Sequence, residues 1–302
     1  MISVACNLCG QDDWLIVHPS TLENSANMDV SAFRCTSPGY GSHAQIVKCK
    51  QCDLVYANPH WSQEELIAAY TAVTDETYVA ERSGRELTFS KHLKDLEKHT
   101  GPGNGRTLLD VGAYIGVFVE VARAAGWQAS GVEPSNWAAE QAQQHGLPVI
   151  QGTQDAAALQ GKQFDVITMW DVIEHVADPM AELAKAFHLL KPDGWLAVHT
   201  MNIDSLISRL LGRRWPWLMD MHLYYFSPQT LSTMLQKVGF DIAWSGTQGR
   251  YLRLGYLATR VGGMHPALGR WAEKIVGGLK LTETAVPVNF GDLFTIYARR
   301  PN

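Results

Sequence analysis

The chain has little of what marks several large protein classes. Its 302 residues include only five cysteines and carry a formal net charge of −5 at pH 7, which excludes a disulfide-rich scaffold and a broadly basic nucleic-acid surface. No apolar run reaches the ~18 residues of a membrane span. The opening MISVACNLCG lacks the basic and apolar regions of a signal peptide. We therefore expect a cytoplasmic protein with no nucleic-acid partner and no membrane span.

Four of the five cysteines form two Cys-x-x-Cys pairs, Cys6 with Cys9 and Cys49 with Cys52. Together they offer four thiolates, the closed ligand set that structural zinc prefers. Thiol exchange is the alternative, although neither pair opens a helix after a strand as that chemistry prefers. We expect a zinc-ribbon β module over residues 1–60, in which Zn²⁺ has a structural role because no ligand position is left for substrate.

Residues 61–100 are predicted to be a helical linker, beginning with a capping box formed by Ser62 and Glu65. From residue 101 to 302, strand and helix patterns alternate, which predicts a parallel sheet covered by helices on both faces. The predicted strands cover 106–111, 127–132, 148–150, 164–169, 195–200, 240–245 and 292–300, and the predicted helices 116–125, 135–145, 179–190 and 228–238.

A ligand site is indicated where the first of these strands ends, in LLDVGAYIGVF. Gly112 and Gly116 permit close backbone approach there. The dinucleotide spacing G-x-G-x-x-G is absent, whereas Asp110 precedes Gly112 by two residues, as in proteins that bind S-adenosylmethionine. Glu133, at the end of the next strand, is placed to accept hydrogen bonds from ribose hydroxyls.

Five segments together resemble the class I S-adenosylmethionine-dependent methyltransferases: LLDVGAYIG, GVEPS, FDVITMWDVIEHVADP, LKPDGWLAVHT and HLYYFSPQTLSTMLQKVGF. The resemblance implies a Rossmann-like, doubly wound, mostly parallel seven-stranded α/β sheet. The preceding KCKQCDLVYANPHWSQEELIAAY resembles the four-cysteine zinc-ribbon leader of a bacterial subgroup of these enzymes, whose members often serve saccharide or secondary-metabolite pathways.

The resemblance also implies the cofactor contacts. The glycine-rich loop would surround the methionine moiety, Glu133 would hold the ribose, residues 152–155 would approach the adenine, and the end of the fourth strand would close the other side. The implied contact residues are Asp110, Gly112, Ala113, Tyr114, Gly116, Phe118, Glu133, Pro134, Thr153, Trp170 and Asp171. Tyr114 replaces the family's middle glycine, so either the loop opens differently or the tyrosine lines the pocket.

Methyl transfer needs no protein nucleophile, and it needs a general base only if the acceptor must lose a proton. His222 is the favoured base, with anchoring of its loop as the alternative. Glu174 and His175 are further catalytic candidates, because Glu-His recurs at this point in ubiquinone-type O-methyltransferases, where a metal role has been considered. With Asp178 they would hold a divalent ion, or they would form a structural turn. His199 and Asn202 are weaker candidates for acceptor contacts.

Two insertions, near 203–226 and 249–288, are predicted to form the acceptor pocket. The second carries Leu268, Trp271 and Ile275 on one helical face. Such a face usually packs on the core, and contact with a membrane or a lipid-linked substrate is the alternative.

The sequence thus predicts an S-adenosylmethionine-dependent methyltransferase acting on a small molecule. The favoured acceptor is an oxygen of a saccharide or secondary-metabolite intermediate, such as a sugar nucleotide or a lipid-linked intermediate. Carbon or nitrogen methylation, or an inactive cofactor-binding or interaction protein, are the alternatives. The oligomeric state is not determined.

Overall fold

The computed structural model describes residues 1–22, 29–37 and 39–302. In the first hundred residues, three strands precede three helices: β1 (Trp14–His18), β2 (Ile46–Cys49), β3 (Val55–Ala57), α1 (Gln63–Ala72), α2 (Glu76–Ala80) and α3 (Arg82–Thr100). The capping box predicted for α1 is present, with the Ser62 hydroxyl accepting from the Glu65 N–H.

The following residues alternate between strands and helices. The elements are β4 (Thr107–Val111), α4 (Val117–Ala124), β5 (Gln128–Glu133), α5 (Asn136–Gln144), β6 (Val149–Gln151), β7 (Phe164–Trp170), α6 (Pro179–Leu189) and β8 (Leu190–Met201). After them come α7 (Leu206–Leu211), β9 (Tyr224–Tyr225), α8 (Pro228–Val238), β10 (Asp241–Thr247), β11 (Arg250–Arg253), α9 (Leu254–Met264), α10 (Pro266–Gly278), β12 (Ala285–Val288) and β13 (Leu293–Arg299).

Seven strands form the central sheet in the order β10-β13-β8-β7-β4-β5-β6. The five from β8 to β6 are parallel, and β13 and β10 pair antiparallel at one side. The chain reverses its direction of winding between β4 and β7, and a doubly wound sheet binds ligands beyond the carboxyl ends of its strands at that point. The Rossmann-like, mostly parallel seven-stranded fold is confirmed.

A second sheet has the order β1-β2-β3-β9 and is antiparallel. Its fourth strand, β9, comes from the segment between β8 and α8. In its pairing with β3, Tyr56 lies opposite Tyr224 and Val55 opposite Tyr225. The Asn7 side chain also donates to the Asp178 carboxylate at the start of α6, at 2.8 Å. The cysteine-bearing segment is therefore joined to the residues around the predicted acceptor pocket.

The last insertion is a helical hairpin beside a short ribbon. β11 and β12 pair antiparallel, and α9 and α10 pack against each other. Within the described residues, no helix combines the length and apolar character needed to cross a membrane. The domain limits 1–60, 61–100 and 101–302 stay predictions.

Candidate active site

A cavity of about 510 Å³ opens at the carboxyl ends of β4, β5 and β7. The predicted site residues that line it are Asp110, Gly112, Ala113, Tyr114, Glu133, Pro134, Thr153, Trp170, Asp171, Glu174, His175 and His222. Gly116 and Phe118 lie behind this wall. A side chain at Gly116 would meet Leu147 at 2.7 Å, and Phe118 packs edge-on against Trp170.

The loop after β4 contains positive φ angles, which favour glycine. Gly112 has φ +71°, and a Cβ there would meet Val172 at 2.6 Å, so only glycine fits. Tyr114 also has positive φ, at 49°, and its ring packs on Tyr78 with centroids 4.3 Å apart. The sequence left two alternatives: the loop opens differently, or Tyr114 lines the pocket. The structure has the second arrangement, because Tyr114 lines the cavity.

Glu133 connects the loop after β4 to the start of α5. Its carboxylate accepts from the backbone N–H of Tyr114 at 2.9 Å and of Ser135 at 2.8 Å. Burial nevertheless raises its pKa to about 7, against these two hydrogen bonds. A carboxylate has about four acceptor positions, so Glu133 retains capacity for hydroxyl donors in the cavity.

Asp110 is buried at the end of β4 and accepts from the Thr168 hydroxyl at 2.7 Å. Burial raises its pKa to about 8, although that hydrogen bond acts in the opposite direction. Near neutral pH this group is therefore mostly a neutral carboxylic acid able to donate one hydrogen bond.

At the end of β7, Asp171 has a cationic partner. Its carboxylate oxygens lie 3.2 and 3.3 Å from an Arg250 guanidinium nitrogen. Burial raises the pKa of Asp171, but Arg250 and His199 more than offset this and hold it at about 2. The negative charge at this edge of the cavity is consequently present at physiological pH.

His199 is held in one tautomer by neighbouring strands. Its Nδ1 lies 2.8 Å from the Thr295 hydroxyl oxygen, which itself donates to Gln248, so Nδ1 carries the proton. Its Nε2 faces Asp171 at 3.7 Å without a hydrogen bond, and burial lowers the pKa of His199 to about 4. Asn202, the other minor candidate, accepts from the Asp204 N–H and does not contribute to the cavity wall.

Glu174, His175 and His222 come together at the cavity wall, where one donor atom from each lies within 4.8 Å of the others. His222 Nδ1 is 2.7 Å from the Trp217 carbonyl oxygen, and His175 Nδ1 is 2.9 Å from that of Met221. Because a carbonyl only accepts, each Nδ1 carries a proton and each Nε2 has a free lone pair.

The charges of these groups follow from burial. Burial, followed by the effect of His175, lowers the pKa of His222 to about 3. Burial, followed by repulsion from Asp171, raises the pKa of Glu174 to about 8. The inclusion of Asp178 in a divalent-ion set is wrong for this arrangement, because its carboxylate caps α6 through the Ala181 N–H and accepts from Asn7.

The two cysteine pairs form a second cluster, with all four sulfur atoms within 4.8 Å of one another. Cys6 Sγ lies 3.4 Å from Cys52 Sγ, and Cys9 Sγ lies 3.5 Å from Cys49 Sγ. A tetrahedral Zn²⁺ site with bonds of about 2.3 Å has sulfur separations of roughly 3.8 Å. The four side chains therefore fit such a site.

Sequence reasoning missed several residues of the cavity. Cys35, the fifth cysteine, lines it, as do Arg85, His92 and Arg250. Arg85 and His92 are seven residues apart on α3 and thus share one helical face, a spacing visible in the sequence. Arg250 gave no such signal, because its approach to Asp171 depends on the position of β11.

Comparison with known proteins agrees with the fold. Residues 82–243 match the family described as Methyltransferase domain. The chain is 33% identical over 211 residues to a ubiquinone biosynthesis O-methyltransferase of Cereibacter sphaeroides, covering 66% of this chain and 82% of that protein.

Solved structures show the same fold at low sequence identity. An S-adenosylmethionine-dependent methyltransferase from Archaeoglobus fulgidus matches with a TM-score of 0.50 and 17% identity, over 74% of this chain and all (100%) of that one. A cyclopropane synthase of Mycobacterium tuberculosis gives 0.51 and 17%, over 80% and 100%. With its sheet order, its glycine loop and these matches, the chain belongs to the class I S-adenosylmethionine-dependent methyltransferases.

Proposed function

We propose that this methyltransferase modifies a hydroxyl oxygen of a small molecule, with His222 as the general base. The observation that carries the proposal is the position of His222 on the cavity wall, with Nδ1 bound to the Trp217 carbonyl and Nε2 left unprotonated. An oxygen acceptor must lose a proton, so a neutral imidazole is useful there. The ubiquinone O-methyltransferase name of the relatives supports the same acceptor atom.

The cavity suits the cofactor of the family. Buried polar atoms at its wall lack a hydrogen-bond partner among the described residues: the Tyr114 hydroxyl, Trp170 Nε1 and His199 Nε2. Such groups are costly unless a ligand or water satisfies them. Glu133 would hold the ribose, the Gly112–Tyr114 loop and Asp110 the methionine moiety, and Pro134 and Thr153 the adenine. Trp170 and Asp171 would close the opposite side, and Gly116 and Phe118 would support the loop from behind.

When bound, S-adenosylmethionine supplies an electrophilic methyl group on a sulfonium whose leaving group is neutral. The protein's part is then to align the acceptor oxygen and accept its proton. Asp171, held ionised by Arg250, places a negative charge close to this region. The low pKa of His222 keeps it neutral before the transfer, and the ionised Asp171 carboxylate provides a negative charge that favours the imidazolium once the proton is accepted.

A divalent ion is the alternative use of Glu174, His175 and His222. A carboxylate and two imidazoles with unprotonated Nε2 atoms are an ordinary ligand set for a first-row transition metal. In that case the ion would lower the pKa of the acceptor hydroxyl, and His222 would be a ligand instead of a base.

We infer that the acceptor is a saccharide or an aromatic pathway intermediate. Beyond the cofactor region the cavity is lined by Tyr40, Trp217 and Tyr256, with Arg250 among them. Aromatic faces stack on sugar or phenol rings, and a guanidinium can bind an anionic substituent. The cysteine cluster would hold one structural Zn²⁺, and it would stabilise β2 and β3 beside this wall.

The test is methyl transfer from labelled S-adenosylmethionine to a catechol, a sugar nucleotide and an amine of matched size, with product analysis by mass spectrometry. We expect a new methyl group on oxygen, and no transfer to the amine. Transfer only to nitrogen or carbon would contradict the oxygen assignment. Tight binding of S-adenosylhomocysteine without transfer to any acceptor would favour the inactive-protein alternative. Turnover that is lost on chelation and restored by a divalent ion, while the zinc content of the chain stays unchanged, would support the metal mechanism.

A further inference from the structure

Helix α10 presents an apolar surface to solvent. The side chains of Leu268, Trp271 and Ile275 are 55%, 67% and 39% exposed. Leu279, directly after the last residue of the helix, is 64% exposed. These positions follow one another by three or four residues and thus form one stripe along the helix. The interpretation favoured by the sequence, that this face packs on the core, is wrong for these side chains.

The packing of α10 on α9 uses a different face, made of small residues. A Cβ at Gly269 would meet the Gly262 backbone at 2.1 Å, so the two helices touch there. Ala272 and Val276, on the same side as Gly269, are half-buried. The stripe therefore has no partner within the described part of the chain, although its side chains are large enough to fill a core.

The charges beside the stripe are mostly positive. Residues 265–281 contain Arg270, Lys274 and Lys280 and one acid, Glu273, in a chain whose net charge is −5. At about 100° per residue, Lys274 lies about 60° from Trp271 on the side away from Gly269, and Arg270 lies about 40° further round the helix. An apolar stripe with a tryptophan and flanking basic residues is the pattern of a helix that lies in the interface of an anionic bilayer.

The hairpin also forms part of the cavity wall. Tyr256, Leu257 and Arg260 of α9 line the cavity, so α10 covers the outer side of that wall. Phe290 lines the cavity as well and is 70% exposed. A surface that contacts α10 would consequently lie one helix away from the cavity.

We propose that the stripe Leu268–Trp271–Ile275–Leu279 docks the protein on the surface of an anionic lipid bilayer. The apolar side chains enter the headgroup region, and Arg270 and Lys274 contact lipid phosphates. This binding does not depend on which acceptor is methylated, and it positions the cavity close to amphiphilic molecules held in the bilayer.

The test is co-sedimentation of the full chain with vesicles of phosphatidylcholine, alone or mixed with phosphatidylglycerol. We expect binding to the mixed vesicles that decreases with added salt, and a loss of about tenfold or more in partitioning for the double variant Leu268→Ser/Trp271→Ser. Arg270→Gln/Lys274→Gln should lose the preference for phosphatidylglycerol. Leu87→Ser, a similarly exposed leucine on α3, is the matched control and should bind like the wild type.

Absence of vesicle binding by the wild type, or equal binding by the double variant, overturns the proposal. The other partner that would cover the stripe is a second copy of the chain. Sedimentation velocity without vesicles separates the two: a dimer that Leu268→Ser/Trp271→Ser dissociates, combined with no vesicle binding, would assign the stripe to self-association. No step of this test requires methyl transfer, so a failure here is distinguishable from a failure of the proposed function.

Discussion

At the scale of single residues, burial determines the charge of the acids at the strand ends. Asp110 and Glu133 are both buried, and neither forms an ion pair among the described residues. Their pKa values are therefore raised, whereas Arg250 keeps Asp171 ionised. Three acids at one sheet edge thus differ in charge because their partners differ.

Glu133→Gln tests the ribose contact. We expect the affinity for S-adenosylhomocysteine to fall by tenfold to hundredfold, since a hydrogen bond to a charged group is worth about 1.5–3 kcal/mol. The Glu133 pKa of about 7 adds a pH signature. The carboxylate is ionised above that pH, so wild-type affinity should decrease from pH 8 to pH 6.

Calorimetry over that pH range measures both effects. The Gln variant should show a flatter pH profile, which a merely structural role of Glu133 would not produce. Glu120→Gln, on the outer part of α4, is the control and should bind normally. Unchanged affinity of Glu133→Gln would remove this residue from the ribose subsite.

His222→Ala tests the general base. We expect kcat to fall by about 10²–10⁴-fold, while calorimetric affinity for S-adenosylhomocysteine stays close to that of the wild type. His145→Ala, an exposed position at the end of α5, should retain full turnover. A His222→Ala protein with normal kcat would end the proposal and leave His222 as a loop anchor.

At the scale of elements, β9 links the cysteine cluster to the active site. Leu223, next to His222, donates to the Glu174 carbonyl at 2.8 Å and accepts from the Ala57 N–H at 2.7 Å. The segment that carries His222 is thus held between the loop after β7 and β3, which begins three residues after Cys52. Displacement of β3 would move His222.

Cys49→Ser tests the metal cluster. Elemental analysis should find one zinc per wild-type chain and none or little in the variant, because a three-thiolate site binds Zn²⁺ less tightly. The melting temperature should fall, and turnover should fall with it through β3 and β9. Cys35→Ser lies outside the cluster and should keep its zinc. A wild-type protein without zinc would refute the assignment.

At the scale of the whole molecule, the buried acids predict a loss of stability with rising pH. The Asp110 pKa is raised from 3.8 to about 8, so the folded state binds a proton that the unfolded state has lost. This contribution is complete below pH 3.8 and is lost as the pH rises through 8. Buried histidines such as His199, whose pKa is about 4, are already neutral when the pH rises through 8.

Urea denaturation of the ligand-free protein at pH 7 and pH 9 measures this effect. The free energy of unfolding should decrease for the wild type and decrease less for Asp110→Asn, which keeps the acceptor for Thr168. Asp165→Asn, at the opposite end of the sheet, should behave like the wild type because the Lys191 hydrogen bond keeps the Asp165 pKa low. Equal slopes for Asp110→Asn and the wild type would show that Asp110 is not the responsible group.

The sequence by itself determined most elements of the central sheet and the position of the residues proposed to bind the cofactor. Periodicity predicted β4 to β8 to within a few residues, except for the early start of β8, and Asp110, Gly112 and Glu133 were identifiable because strand ends meet at one edge of a parallel sheet. The pairing of closely spaced cysteines likewise predicted their clustering. These features are local in the chain, or follow from a sheet order that the family shares.

Only the tertiary structure decided what depends on distant segments meeting. It brought His222 to Glu174 and His175, paired Arg250 with Asp171, and assigned Asp178 to the cap of α6. It also exposed the stripe on α10, since periodicity gives the width of an apolar face but not what covers it. The physical reason is the same in each case: contacts between insertions depend on how loops close over the sheet, and no local preference specifies that.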